Sequence, residues 1–510
     1  MAVQPRMGLL PQRRLGACGG HLGDIAATRQ NLVREISQRR GCVSLAVAGF
    51  KLVSRTGESG VATPSKSTVV KTPENNVASE ARRTSFPPQD PDSFAENMAF
   101  VGPGLVTGAS DDDPSGIATY SQAGAQFGFG TLWLMFFSYP LMCAIQEISA
   151  RIGRVTGVGI SANIRKMYPR PVVYAIVAML LVSSIFNLGA DLGAMGESAH
   201  MLLGGPAWMH LLVMGLISIL LQIFVPYTRY VKYLKFLVLS LMAYVVTAFV
   251  VHIDWPAALM ATLVPPIKMF HGNYLTMVVA VLGTTISPYL FFWQASQEAE
   301  EVQVRPEERP LKRAPAQAPR QLRRIRIDTY AGMAVSNAVA FFIMLTAAAT
   351  LHAHGDTAIQ TATQAASALE PLAGRFAYAL FAAGIIVTGL LAVPVLAGAA
   401  AYAVGEAMHW RVGLEVKPGR ATKFYLTLGV ATLVGLALNF VHFDPIRSLF
   451  IAAVINGLLA APVMALMMLM TCSRKIMGDF TLPVYLQIAG WIGTIAMFGA
   501  SLAFLVSSLK

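Results

Sequence analysis

Charge is scarce in this chain. Asp, Glu, Lys and Arg make up only 13% of its 510 residues, against 55% hydrophobic, and the mean hydropathy is +0.55. A soluble domain of this size carries about twice that share of charge, so the composition excludes an ordinary soluble protein and makes a lipid bilayer the expected solvent. Cysteine is scarce too: Cys18, Cys42, Cys143 and Cys472 show neither paired nor metal-ligand spacing, which implies no disulfide framework and no zinc site. No apolar segment near the start has the form of a secretory signal. A nucleophile–base arrangement, a phosphate-binding loop and a nucleotide fingerprint are all missing. The chain is therefore expected to be neither an enzyme nor a transport ATPase, and no cofactor is implied.

What the sequence has is a series of apolar stretches of about 20 residues, each long enough for a hydrocarbon core about 30 Å thick. Eleven spans are predicted, at 98–122, 127–150, 171–198, 207–225, 230–253, 273–296, 326–352, 374–408, 422–440, 446–470 and 485–508. The net charge of +12 sits in the N-terminal tail and in alternate loops, the richest holding Arg305, Arg309, Lys312, Arg313, Arg320, Arg323, Arg324 and Arg326. The intervening loops carry few basic residues, such as Lys268, Arg375 and Arg447. That asymmetry places the N-terminus in the cytoplasm and the C-terminus outside. It also assigns the positive charge to membrane topology rather than to nucleic acid. Residues 1–92, with Arg13-Arg14, Arg39-Arg40 and Arg82-Arg83, read as a disordered basic cytoplasmic tail, with an organelle-targeting peptide as the alternative. Residues 93–510 read as the transmembrane domain, and the lack of a signal fits a bacterial inner membrane.

The spans divide into two five-helix halves, 98–253 and 273–470, followed by one extra helix at 485–508. Because five is odd, the halves have opposite topology. The first helix of each half is interrupted, at Asp111-Asp112-Asp113-Pro114-Ser115-Gly116 and at Gly283-Thr284-Thr285-Ile286-Ser287-Pro288. Interrupted helices at matching places in inverted halves point to a transporter's midplane site. Pro114 removes a backbone donor, and Ser115 and Gly116 tolerate unwinding. A carboxylate at this depth costs about 2.5–3.5 kcal/mol on insertion scales, and three in a row repel one another unless a cation joins them or some are protonated. A hard divalent cation takes both carboxylate oxygens and freed carbonyls as ligands. Asp113, Asp112, Thr284 and Ser287 are thus the candidate metal ligands. Asp111, Gly116, Asp191 and Asn456 are candidate pathway residues, with Asn187, Gln146, Glu147 and Glu406 as weaker signals. His352, His354, His442 and Asp444 read as solvated outer-loop residues.

Gly102-Pro103-Gly104, eight further residues and then Asp113-Pro114 resemble helix one of the Nramp family of divalent metal transporters. Ala118-Thr119, Gly128-Phe129-Gly130-Thr131-Leu132-Trp133 and Ala190-Asp191-Leu192 extend the resemblance, which covers essentially all of 98–510. It implies an all-helical, leucine-transporter-like fold with helices one and six broken around the metal. It also implies Asp113 as the main anionic ligand, the Thr284 carbonyl as a second, and Ser287 where the family's methionine stands. The departures matter as much. The family's asparagine ligand is Gly116, its two helix-six histidines are Tyr289 and Gln294, and its acidic residue three positions after the helix-three aspartate is Ala194. Helix nine has no arginine from Phe424 to Asn439. Soft sulfur selects manganese and iron, whereas an all-oxygen site suits magnesium. The pattern is similar to the Nramp-related magnesium transporter branch.

The expectation is therefore an alternating-access carrier of Mg²⁺ or Mn²⁺, a monomer in the lipid bilayer, without strong proton coupling. Its rivals are a proton-coupled manganese and iron importer, a sodium-coupled carrier of organic solutes and a non-transporting membrane sensor or scaffold.

Overall fold

The computed structural model describes residues 102–225, 241–270, 272–359, 361–441 and 445–508. The tail at 1–92, the first part of the fifth predicted span, and His442 and Asp444 lie outside the described residues. Every regular element among the described residues is helical. In chain order the helices are α1 (Pro103–Asp111), α2 (Pro114–Phe127), α3 (Trp133–Thr156), α4 (Ile160–Met167), α5 (Arg170–Leu203), α6 (Ala207–Phe224), α7 (Met242–Val250) and α8 (Trp255–Leu263). There follow α9 (Asn273–Thr285), α10 (Pro288–Val304), α11 (Ala318–Thr350), α12 (Ala377–Ala407), α13 (Thr422–Leu438), α14 (Pro445–Thr471) and α15 (Val484–Ser508).

Eight of the described units, counting α9 and α10 together, are long and apolar enough to cross a membrane. The other three expected spans are α1 with α2, the charge-bearing α3, and α7 with its undescribed lead-in. The second span begins at Trp133 rather than at 127, because Gly128, with φ of 55°, ends α2 by donating its N–H to the Gly124 carbonyl. A short 3-10 turn over Gly128–Thr131 follows, and the chain bends by 106° between α2 and α3. Its aromatic and apolar residues look like membrane in the sequence but form the turn.

The two halves exchange partners as an inverted repeat requires. The broken pair α1–α2 lies on α11, the second helix of the other half. The broken helix α10 lies on α3, the second helix of the first half, and the third helices α5 and α12 pack on each other. Lipid provides little hydrophobic drive between helices, so close approach at small residues holds them. A β-carbon on Gly435 of α13 would sit 3.0 Å from the Gly189 backbone nitrogen of α5, and one on Gly104 would sit 2.7 Å from the Thr329 nitrogen of α11. Both contacts are backbone on backbone.

Candidate functional site

Each helix break follows from the residue before a proline, whose α conformation is disfavoured by the ring. Asp113 is extended, with φ −71° and ψ 169°, and Pro114 opens α2. Ser287 is likewise extended, with φ −81° and ψ 129°, and Pro288 opens α10. The unwound residues of the first break are Asp112 and Asp113. Ser115 and Gly116 belong to the first turn of α2, which corrects the expectation that they are part of the unwound stretch.

Asp113 is 2% exposed and caps α2. Its Oδ1 accepts the Gly116 N–H at 2.6 Å, while its Oδ2 accepts the Tyr289 hydroxyl at 3.0 Å and the Asn187 side-chain amide at 3.3 Å. One carboxylate therefore ties together α2, α5 and α10. Its two neighbours turn elsewhere. Ser336 of α11 donates to Asp111 Oδ2 at 2.8 Å or to Asp112 Oδ1 at 3.2 Å. The triplet thus does not form one ligand set, and among the described residues no three His, Cys, Asp or Glu side chains converge as a metal-binding group. Asp111 and Asp112 share Ser336, and only the extended Asp113 turns its side chain toward α5 and α10.

The second break faces the first. A β-carbon on Gly116 would lie 3.1 Å from the Asp111 carbonyl oxygen and 3.2 Å from Thr284 Oγ1, so the lack of a side chain at 116 keeps the two breaks in contact. Ser287 does not present its hydroxyl to Asp113. It donates back to the Gly283 and Thr284 carbonyls, both at 2.8 Å, as serine commonly does at the end of a helix. The Thr284 carbonyl is accordingly shared with Ser287. Asn456 sits beside the second break, since its neighbour Gly457 packs on Gly283, and its side-chain oxygen accepts the Ser183 hydroxyl one turn of α5 before Asn187. Asp191 is fully buried, one turn of α5 beyond Asn187.

Several buried oxygens here have no donor among the described residues: Asp111 Oδ1, Asp112 Oδ2, Asn187 Oδ1 and both carboxylate oxygens of Asp191. Buried polar atoms are otherwise almost always paired. Bare carboxylate and amide oxygens are groups that a hard cation can satisfy. Ser336 escaped the sequence reading because nothing in the sequence brings α11 beside the triplet. Tyr289 stood out only as a departure from the family motif.

Charged side chains close the end of the bundle that carries the basic loops. Arg154 of α3 pairs with Glu301 at 3.3 Å, Glu298 at 3.7 Å and Glu308, and Arg324 of α11 pairs with Glu301 at 2.7 Å and Glu298 at 2.8 Å. Although burial opposes ionisation of Glu308, Arg154, Arg305 and Arg324 hold its carboxyl below the usual carboxylate range. Glu147 pairs with Arg151 at 2.6 Å, and Glu406 accepts the Ser296 hydroxyl at 2.9 Å. The Glu147 pair lies within α3, whereas Glu406, near the end of α12, also accepts the Ala162 N–H of α4 at 3.3 Å.

Two helices broken opposite one another, in halves of inverted topology around buried acids, define the core of a secondary-transporter fold. The family profile described as Natural resistance-associated macrophage protein-like matches residues 104–507, and the chain belongs to this Nramp family. The divalent metal cation transporter MntH of Klebsiella pneumoniae strain 342 is 26% identical over 399 residues, 78% of this chain and 91% of the relative. The protein of the same name from Verminephrobacter eiseniae is 25% identical over 412 residues, covering 78% and 87%. The crystal structure of the Eremococcus coleocola manganese transporter, solved with an aromatic bis-isothiourea compound, superposes with a TM-score of 0.65 at 16% identity. That superposition covers 84% of this chain and 90% of the other, and it bears on the fold alone.

Proposed function

We propose that this protein is a secondary transporter that moves divalent metal cations across a membrane by alternating access, with Asp113 as the principal anionic ligand. The observation that carries the reading is the position of Asp113: a buried carboxylate at the break of α1 and α2, touching α5 and α10 and flanked by unpartnered oxygens. Asp112, Thr284 and Asp191 stand near enough along the chain or in space to supply further oxygens or to accept waters of the ion. Membership in a family whose relatives bear the name of divalent metal cation transporters supports the same substrate class. No catalysis and no bound cofactor enter this reading; the metal is cargo.

Mg²⁺ and Mn²⁺ are the ions the site favours. With Ser287 where the family has methionine, the helix-six motif contributes no thioether, and hard oxygen donors hold magnesium with several of its waters. Tyr289, Gln294 and Ala194 stand where the family has two histidines and an acid, so the reading includes no obligatory proton. Two positive charges moving through about 100 mV release about 4.6 kcal/mol, which suffices to drive uptake. The basic loops and the tail at 1–92 face the cytoplasm in this account, and the chain works as a monomer in a bacterial inner membrane. A proton-coupled manganese importer is the second reading, favoured by Asp191, whose two oxygens are buried without a donor.

Proteoliposomes loaded with a metal indicator and a pH indicator separate these readings. Entry of Mg²⁺ or Mn²⁺ without acidification supports the first, and metal-driven acidification supports the second. No flux of any divalent ion from correctly inserted protein overturns both.

A further inference from the structure

Ser183, Asn187 and Asp191 follow one another along α5 at intervals of four residues, and all three are buried. Residues so spaced share a helix face, so they form one polar stripe on an otherwise apolar helix. Ser183 donates its hydroxyl to Asn456 of α14. The stripe meets the first break at Asn187, whose side-chain N–H2 donates to Asp113 Oδ2 at 3.3 Å. The Asn187 Oδ1 atom has no donor, and neither carboxylate oxygen of Asp191 has one. An amide carries an acceptor and a two-proton donor, and here only the donor end is used.

Which end faces Asp113 is an electrostatic choice. An amide oxygen turned on a carboxylate oxygen meets like charge, which favours the N–H2 group there. A divalent cation held by Asp113 reverses that preference. The last side-chain torsion of asparagine is broad and roughly two-fold, so a half-turn exchanges the two ends without moving the backbone. We propose that Asn187 makes this half-turn as the ion arrives, lending Oδ1 to the metal beside Asp113 while its N–H2 passes to the bare oxygens of Asp191. One movement gives partners to both sets of unpaired acceptors. The amide ligand that the family carries in helix one is thereby supplied from α5. Position 116 has no room for it, since a β-carbon there would already lie 3.2 Å from Thr284 Oγ1. A neutral amide oxygen is a hard donor of the kind Mg²⁺ and Mn²⁺ accept, and it adds no negative charge to the aspartate triplet. Asp191 is then a positioning residue, holding the amide as outer carboxylates hold metal-bound imidazoles. The inference deepens the transport reading and rests on its placement of the ion at Asp113.

Isothermal titration of the purified full-length protein with Mn²⁺ tests it. Asn187→Leu, similar in size but without polar atoms, weakens binding about tenfold or more, a loss seen even for groups that only orient a metal ligand. Asn187→Asp, which keeps an oxygen and loses the amide donor, binds at wild-type strength or tighter. Asp191→Ala weakens binding about tenfold in wild type, but by less than about twofold in the Asn187→Leu background, because the two side chains act as a coupled pair. Electron–nuclear double resonance of Mn²⁺ in protein with isotopically labelled asparagine carbonyl carbon shows a coupling that Asn187→Leu abolishes. Unchanged or tighter binding by Asn187→Leu leaves the amide a mere donor to Asp113 and overturns the proposal. Asn187→Asp binding no better than Asn187→Leu, or additive effects of Asn187→Leu and Asp191→Ala, also overturns it. If Asp113→Ala abolishes the site while Asn187→Leu does not weaken it, the transport reading stands and this inference fails. If Asp113→Ala binds as wild type does while Asn187→Leu does not, the assignment of Asp113 fails and that of Asn187 stands.

Discussion

Asp328 of α11 accepts the backbone N–H of Gly104 at 2.7 Å and of Leu105 at 3.1 Å. A carboxylate from the second half of the chain thereby caps the first turn of α1, whose own N-cap position, Gly102, supplies no side chain. The partial positive charge of a helix N-terminus favours such an anion. The contact also gives the Gly102-Pro103-Gly104 motif a physical basis. A β-carbon on Gly104 would fall 2.8 Å from Asp328 Oδ2, and one on Gly102 would collide with the same carboxylate. Glycine lets the cap reach the backbone, and Pro103 occupies a first-turn position where its missing N–H costs nothing.

Removing this cap frees the start of α1. Asp328→Ala gives up about 0.5–2 kcal/mol of local helix stability, and Asp328→Asn gives up less. Hydrogen exchange read by mass spectrometry is expected to quicken about tenfold for the amides of Gly104 and Leu105 in the alanine variant, while α14 is unaffected. Unchanged exchange at Gly104 and Leu105 means that something other than Asp328 holds the end of α1.

Tyr289 occupies one lone pair of Asp113 Oδ2. A carboxylate has about four such positions, and donors from Gly116, Asn187 and Tyr289 fill three. An incoming cation competes with the phenol for the same oxygen. Tyr289→Phe, which preserves the ring, is expected to tighten Mn²⁺ binding by about tenfold or more, since a hydrogen bond to a charged group contributes roughly 1.5–3 kcal/mol. Calorimetric titration of the purified variant checks this. Weaker binding identifies the phenol oxygen as a ligand instead.

Glu308 links the 305–317 loop to Arg154, with Arg305 also 3.2 Å away. Its folded carboxyl titrates below the unfolded one despite burial, because the surrounding arginines favour the anion. The stability it contributes is present above the unfolded value and lost as pH falls through the folded one. Glu308→Gln therefore lowers Tm at neutral pH by a few degrees, and the gap from wild type closes only in acid below the ordinary carboxylate range. A gap that persists unchanged in strong acid contradicts the ion-pair origin of this stability.

The helices, their inverted halves and both breaks were legible because proline, glycine and uninterrupted apolar length act locally. Pro114 and Pro288 fix the extended residue before each break without help from tertiary contacts. Side-chain direction was less legible. Asp111 and Asp112 are expected beside Asp113 from adjacency alone, yet they turn toward Ser336 on a helix more than 200 residues away. Ser287 is expected to face an ion but bonds to its own helix end, a choice set by the local geometry of the unwound turn.

Isothermal titration of the folded, purified protein with Mn²⁺ and Mg²⁺, wild type against Asp113→Ala at matched Tm, tests most directly whether the buried carboxylate at the first break holds the ion. The account predicts a principal divalent site in wild type whose affinity falls about a hundredfold or more in the variant, as breaking a charged, water-free contact entails. Equal affinities for the two proteins would contradict it.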